Sequence, residues 1–337
     1  NCPTAPRKMT REEKRGVQGP TTKPRGSVRR LVHDRGAKEE NAAIRRLSDA
    51  RILTVTLNPA IDWNLTVDGI GGRRKHAILG SHKVCGGKGV NVSRVLNRLG
   101  TPNRAFVVLG GANGRLFRRL ARRDGISLQI VALPAETRTN LTIVGRAAGR
   151  QIKIDQPGPR VGAAQLRRIR SDLKNAIQRA SIVVFSGSLP PGMPPRFLCD
   201  CIRDANRMGK RTVLDTSGPA LRAAKQVRLW LLKPNQEEWN SIRRSTPKAE
   251  WTLVTRGRKG AELRGIGRLW KATARVRRKI CTVGAGDSLL AGFLHDFLRT
   301  NDPEKALRFG VICGAASVSN PAGWLADAKA IRRVLRA

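Results

Sequence analysis

Tyrosine is absent from this 337-residue chain, and Phe, Trp and Tyr together make up only 4% of it. No row of rings is therefore available for stacking nucleic-acid bases, which argues against a single-strand binding platform. Histidine occurs four times, and the six cysteines (2, 85, 199, 201, 281 and 313) show neither framework nor metal-ligand spacing. This speaks against a disulfide scaffold and a structural zinc site; free thiols in a reducing cytoplasm are expected, and no signal peptide is visible. No apolar run approaches the length of a membrane span. Acids are scarce as well, with 24 Asp and Glu against 66 Lys and Arg, a net charge of +42. Residues 1–50 hold 13 basic and 6 acidic side chains, so most of the excess lies in the body of the chain. Such a field attracts polyanions and phosphorylated metabolites without naming one, and a general Arg bias on solvated faces explains it equally well.

Val, Ile, Leu and Ala are plentiful, and the length suffices for one large or two ordinary domains. Residues 1–50 mix Pro, Gly and Thr with dense charge and read as a flexible basic extension, with one short helix near Ala42–Leu47. An ordered domain is expected over 51–337, opening with a buried strand over 51–57. Strands at 104–109, 128–132, 181–186, 211–215, 229–232 and 251–255 alternate with helices at 114–123, 164–179, 195–207 and 235–243. Helices over 303–318 and 325–336 close the chain. This alternation predicts an α/β fold, a parallel sheet with helices on both faces. Two polar–apolar excursions, about 63–84 and 136–156, predict a separate small β-sheet acting as a lid.

Glycine punctuates the chain where polar groups gather. In Cys281-Thr-Val-Gly-Ala-Gly-Asp287 a loop turns into an apolar helix, so Gly284, Ala285 and Gly286 offer unpaired backbone N–H groups to an anion. Asp287 beside such a seat suits a base that takes a proton from a hydroxyl as it attacks phosphorus. The same residues also fit a turn and an N-cap. Gly86-Gly87-Lys88-Gly89 opens a second helix and is neither a P-loop nor a dinucleotide fingerprint. Asp62 follows the first strand, where α/β folds place ligand-binding groups. Asn235 and Glu238, three apart at a helix start, suit either water around Mg²⁺ or a plain helix cap.

In order, Thr56-Leu-Asn-Pro-Ala60 with Asp62, Gly86-Gly-Lys-Gly-Val-Asn91, Glu136-Thr-Arg-Thr-Asn140, Gly187-Ser-Leu-Pro-Pro-Gly192, Lys233-Pro-Asn-Gln-Glu-Glu238 and Val283-Gly-Ala-Gly-Asp287 are jointly specific. From about 51 to 337 the chain resembles the PfkB (ribokinase-like) carbohydrate kinases, and within them the 1-phosphofructokinase and tagatose-6-phosphate kinase branch. The resemblance implies an ATP- and Mg²⁺-dependent kinase acting on a phosphohexose, first of all fructose 1-phosphate. Tagatose 6-phosphate and fructose 6-phosphate are its alternatives. It makes Asp287 the general base and the backbone of Gly284, Ala285 and Gly286 the anion hole. It puts Asp62, Gly86, Gly87, Lys88, Asn91 and Asn140 on the sugar and Arg138 on its phosphate. Asn235 and Glu238 would serve Mg²⁺ and ATP through water, with Thr255, Gly257, Gly260 and Asn320 along the nucleotide.

Two departures stand out: His76-Ala77 replaces the branch's Asn-Arg, and the nucleotide loop Arg256-Gly-Arg-Lys259 is unusually basic. The lid segments are candidates to pair across a homodimer. A polyanion-binding protein on a catalytically degenerate kinase scaffold is the alternative of another class. No specific nucleic-acid or membrane partner is expected.

Overall fold

Aliphatic and β-branched runs bounded by Asn, Pro and Gly form the strands of the computed structural model, which describes residues 52–72, 75–146, 151–276, 279–321 and 323–336. The extension expected over 1–50, with its short helix near 42–47, lies outside the described residues. Ile52–Thr56 (β1) is buried along its whole length, as befits a strand covered on both faces.

It sits within a nine-stranded sheet. On one side lie Asn103–Gly110 (β4) and Leu128–Leu133 (β5); on the other lie Ile182–Ser186 (β8), Arg211–Asp215 (β9), Arg228–Leu232 (β10) and Lys248–Thr255 (β11). All of these pair in parallel. Ala261–Gly265 (β12) and Arg268–Ala272 (β13) then finish the edge as an antiparallel hairpin added to the parallel sheet expected. Its two-residue turn has positive φ at Ile266 (46°) and Gly267 (73°), the hand that matches strand twist.

Alternation along the strands divides the core between the two faces. Val183 and Phe185 of β8 pack with Ala163–Gln178 (α3), Pro195–Arg207 (α4) and Gly218–Ala223 (α5). Ile182 and Val184 face Lys88–Arg98 (α1), Ala285–Thr300 (α7), Pro303–Val318 (α8) and Ala328–Leu335 (α9). Gly111–Arg123 (α2) covers β4 with Phe117, Leu120 and Ala121, and the short Gln236–Ile242 (α6) follows β10. The junction of α7 and α8 is written locally. Asn301 ends α7 in the left-handed region, Asp302 accepts from the N–H groups of Glu304 (2.9 Å) and Lys305 (3.1 Å), and Pro303 occupies the first turn.

A second sheet has the order β3–β2–β6–β7, from Ile78–Gly86 (β3), Ala60–Val67 (β2), Arg138–Gly145 (β6) and Gln151–Asp155 (β7). The two excursions expected to form a lid are thus one sheet. Its register puts Asp62, Asn140 and Asp155 in one cross-strand row, and Asn64, Thr142 and Lys153 in the next row on the same face. The opposite face carries Trp63, Leu141 and Ile154, then Leu65, Ile143 and Ile152. Across β2, β6 and β7 one face is mainly polar and the other apolar, while Lys83 and Ser81 of β3 lie beside Trp63 and Leu65 on the second. Among the described residues no helix is long and apolar enough to cross a membrane.

Candidate active site

The C-terminal ends of the parallel strands meet the first turns of α1 and α7, and the side chains there form one charged cluster. Asp215 ends β9 and is fully buried. A buried carboxylate needs partners to stay ionised. Lys88, in the first turn of α1, donates to its Oδ1 at 2.9 Å, and Lys233, directly after β10, lies 3.1 Å from its Oδ2. Burial alone would raise the Asp215 carboxyl, but the two lysines hold it below the usual range. Its charge in turn pushes Lys88 far above the ordinary lysine value against the cost of burial, with Asp287 adding to the effect.

Asp287 occupies the first turn of α7 and is 6% exposed. Its Oδ2 accepts from Asn91 Nδ2 at 2.8 Å, so its side chain does not cap its own helix. Burial first, and then the neighbouring Asp215, push its carboxyl up to about 6 against the pull of Lys88, Asn91 and Lys233. Such a value suits a group that must both take and release a proton near neutral pH.

Gly284 precedes α7 at φ 78°, and a Cβ there would stand 2.2 Å from Leu325 Cδ2. Only glycine gives this turn its hand and its close packing. Ala285 N–H turns back to Thr282 O at 3.3 Å. The N–H groups of Gly286 and Asp287 follow in the first turn, where a helix supplies no acceptor. A Cβ on Gly286 would lie 3.4 Å from Lys233 Nζ, so that ammonium flanks the same opening.

On the lid side, Asp62 Oδ1 accepts from Asn140 Nδ2 at 3.0 Å. Burial raises the Asp62 carboxyl, opposed first by Asn140 and then by Lys153, Arg94 and Arg138. Gly86 lets that carboxylate pass: a Cβ there would sit 2.1 Å from Asp62 Oδ2. Gly87 is the N-cap of α1, which carries Lys88 and Asn91. The structure thus brings Lys88 and Asn91 to the cluster that holds Asp287, and Asp62 and Asn140 to Gly86, just before the Gly87 N-cap of the same helix.

Other expected residues are already engaged within the chain. Arg138 Nε and Nη2 donate to Asn58 O at 3.2 and 3.1 Å, and Nη1 donates to Gln156 O at 2.6 Å. Two guanidinium hydrogens remain for a ligand. Asn235 and Glu238 form a reciprocal capping box on α6, each bond 2.8 Å. Glu238 still adds to the field at Lys88 across the cluster. Thr255 ends β11, its N–H donating to Pro234 O at 3.0 Å, and the turn from Gly257 to Gly260 follows. The basic loop there is less free than its composition suggests, because Arg256 is bound by Gln236 (2.7 Å) and Glu262. Asn320 is buried; it donates to Leu325 O at 3.1 Å and accepts from Arg333 at 3.2 Å, which shapes the C-terminal loop.

Three residues of the cluster were missing from the expected set: Asp215, Lys233 and Arg94. The first two carried a signal in the sequence, a charged residue at the end of a buried strand. Arg94 carried none, since an Arg among Val92, Val95 and Leu96 reads as a helix side chain turned to solvent.

A profile of the pfkB family of carbohydrate kinases matches residues 55–324. The 1-phosphofructokinase of Bacillus subtilis is 29% identical over 284 residues, 79% of this chain and 92% of that protein. A tagatose-6-phosphate kinase of Staphylococcus epidermidis is 29% identical over 276 residues, 76% of this chain and 88% of its own length. Phosphofructokinase-2 from Escherichia coli, solved with substrates and products, superposes with a TM-score of 0.80 at 28% identity. That match covers 85% of this chain and 99% of the solved one. A tetrameric inhibited form of the same E. coli protein is also similar, with a TM-score of 0.76 at 28% identity over 85% of this chain and 98% of that one.

Proposed function

The chain belongs to the pfkB family of carbohydrate kinases, phosphotransferases with an alcohol acceptor, and from that premise we propose that it phosphorylates a phosphohexose with ATP. The first choice is fructose 1-phosphate, accepting at its 6-hydroxyl to give fructose 1,6-bisphosphate. The observation that carries this reading is the placement of Asp287: a buried carboxyl raised to about 6, beside two ammonium groups and an open helix N-terminus.

Asp62 and Asn140 hold sugar hydroxyls from the polar face of the lid, with Gly86, Gly87, Lys88 and Asn91 beneath. Arg138 offers its two remaining N–H groups to the substrate's own phosphate, the bidentate recognition at which a guanidinium excels. Asp287 Oδ1, not used by Asn91, takes the proton from the attacking hydroxyl. The new O–P bond forms as the bond from the γ-phosphorus to the bridging oxygen breaks, and ADP leaves. The backbone of Gly284, Ala285 and Gly286 accommodates the transferring group, for which the Ala285 N–H lets go of Thr282 O. Lys88 and Lys233 compensate its charge and need little reorganisation, because Asp215 already aims both. Thr255, Gly257 and Gly260 line the nucleotide's path, and Asn320 supports it through the loop it shapes.

The donor set fits Mg²⁺ held mainly by water and phosphate oxygens. Glu238 has one carboxylate oxygen committed to the Asn235 N–H, and among the described residues no three His, Cys, Asp or Glu gather as a protein cage. Glu238 and Asn235 would hold it through water, and the ion would neutralise charge between the β- and γ-phosphates. We further propose that a second copy covers the apolar lid face, where Ile154 is 52% exposed and Ile152 42%.

The test is an ADP-release assay with fructose 1-phosphate, fructose 6-phosphate and tagatose 6-phosphate. The relatives named for fructose 1-phosphate and tagatose 6-phosphate are equally similar, so the panel must hold both. The highest kcat/KM is expected for fructose 1-phosphate, and Asp287→Asn should lower kcat by on the order of 10³ or more. A clear preference for either 6-phosphate overturns the choice of substrate. Turnover that survives Asp287→Asn removes the base. No ADP release with any of the three, together with sequence-selective DNA binding that persists above physiological salt, would favour the polyanion-binding alternative.

A further inference from the structure

We propose that Arg94 is a positioning residue for the base: its guanidinium holds the Asn91 amide in the one orientation that donates to Asp287. The inference rests on the reading of Asp287 given above. Arg94 lies one turn after Asn91 on α1 and is 1% exposed, in a helix whose Val92, Val95 and Leu96 are buried as well. Burying a cation costs several kcal/mol before its partners are counted, and a leucine would occupy this position without that cost. The fork is used in three directions. Nη1 donates to Asn91 Oδ1 at 3.4 Å, Nη2 donates to Cys85 O and to Cys85 Sγ (3.1 Å), and Nε stands 3.2 Å from Asp124 Oδ2. A lysine, a point charge on a flexible stem, cannot reach all three.

An asparagine amide has an accepting end and a donating end. With its oxygen taken by Arg94, Asn91 presents Nδ2 to Asp287; released, it is free to turn its oxygen toward a carboxylate that repels it. The charged and polar groups facing Asp287 are Asp215 from β9, Lys233 after β10, and Lys88 and Asn91 from α1. Arg94 bonds the Asn91 oxygen while the Asn91 nitrogen bonds Asp287, so its influence passes through the amide.

The experiment is a carboxyl-carbon NMR titration of ¹³C-aspartate-labelled protein, with Asp287→Asn assigning the resonance. Native protein is compared with Arg94→Lys, Asn91→Ala and the double variant. Both single substitutions are expected to raise the Asp287 midpoint, and the double variant to raise it no further than Asn91→Ala alone. An unchanged midpoint in Arg94→Lys, or a shift that adds to that of Asn91→Ala, overturns the proposal. Should Arg94→Lys fail to fold, Arg94→Gln enters the same cycle. The titration reads the carboxylate itself, so it stands whether or not any phosphosugar is turned over. In the active enzyme, kcat should fall on the order of 10-fold to 100-fold in Arg94→Lys, with KM for ATP within about twofold of native. A merely structural role would lower thermal stability and leave the Asp287 midpoint where it was.

Discussion

Two aspartates in the field of the same lysines have been driven in opposite directions. Asp215 is kept ionised by Lys88 and Lys233, while Asp287 pays for burial and for the nearness of Asp215. Because the folded pKa of Asp287 lies above its unfolded value of 3.8, its ionisation opposes folding. Its favourable contribution is complete below about pH 4 and is lost as the pH rises through 6. Asp287→Asn should therefore stabilise the protein by about 3 kcal/mol at pH 8 and by roughly half of that at pH 5. Asp215→Asn should do the reverse, leaving the buried Lys233 ammonium and the half-buried Lys88 ammonium uncompensated at a cost of about 3 kcal/mol. Urea unfolding of both variants at pH 8 and pH 5 checks the pair; the same sign for both substitutions at pH 8 would refute this electrostatic account. With Asp287 as the proposed base, activity should follow the same titration. The acid limb of kcat/KM should have its midpoint near pH 6, with a loss of about tenfold per unit below it.

Elements decide how close the ligand-binding groups come. A methyl group at Gly86 would occupy the position of the Asp62 carboxylate, forcing it away from Asn140. Gly86→Ala is expected to raise KM for the phosphosugar by about 10-fold to 100-fold, the worth of one charged hydrogen bond, and to leave KM for ATP unchanged. An equal rise in both would mean that the strand and not the contact had been disturbed.

At this scale the sequence was readable wherever a period or a breaker spoke. The strands from β1 to β11, the helix after Gly87 and the lid all follow from alternation and glycine punctuation. The β12–β13 hairpin was not legible, because its turn places Ile266 in a left-handed conformation where Asn or Gly would have announced it. In the site, Asp62, Asn91 and Asp287 stood out as single polar residues at element ends. What stayed hidden was pairwise: that Lys88 and Lys233 share Asp215, that Arg138 spends three hydrogen bonds on Asn58 and Gln156, and that Arg94 is buried. No local pattern encodes which distant side chain will satisfy a charge.

For the whole molecule, a charge of +42 acts on every encounter at once. A polyanion is attracted, and added salt weakens that binding because the ions released from the nucleic acid return to a more concentrated solution. Two copies of this chain repel one another through the same field, and salt screens the repulsion, with a Debye length near 30 Å at 0.01 M and about 10 Å at 0.1 M. The apolar contact proposed between lid faces, on which Ile152 and Ile154 are exposed, would not weaken as salt is added. The two associations must therefore respond to salt with opposite sign. Sedimentation velocity at 50 mM and 500 mM NaCl should show the dimer fraction rising with salt, while retention on duplex DNA collapses over the same interval. Ile154→Lys adds a charge and removes apolar area on the exposed edge strand β7 of that face, and should leave a monomer at both concentrations. A dimer that dissolves as salt is added would show instead that ion pairs hold the copies together, and the lid would lose its place as the interface.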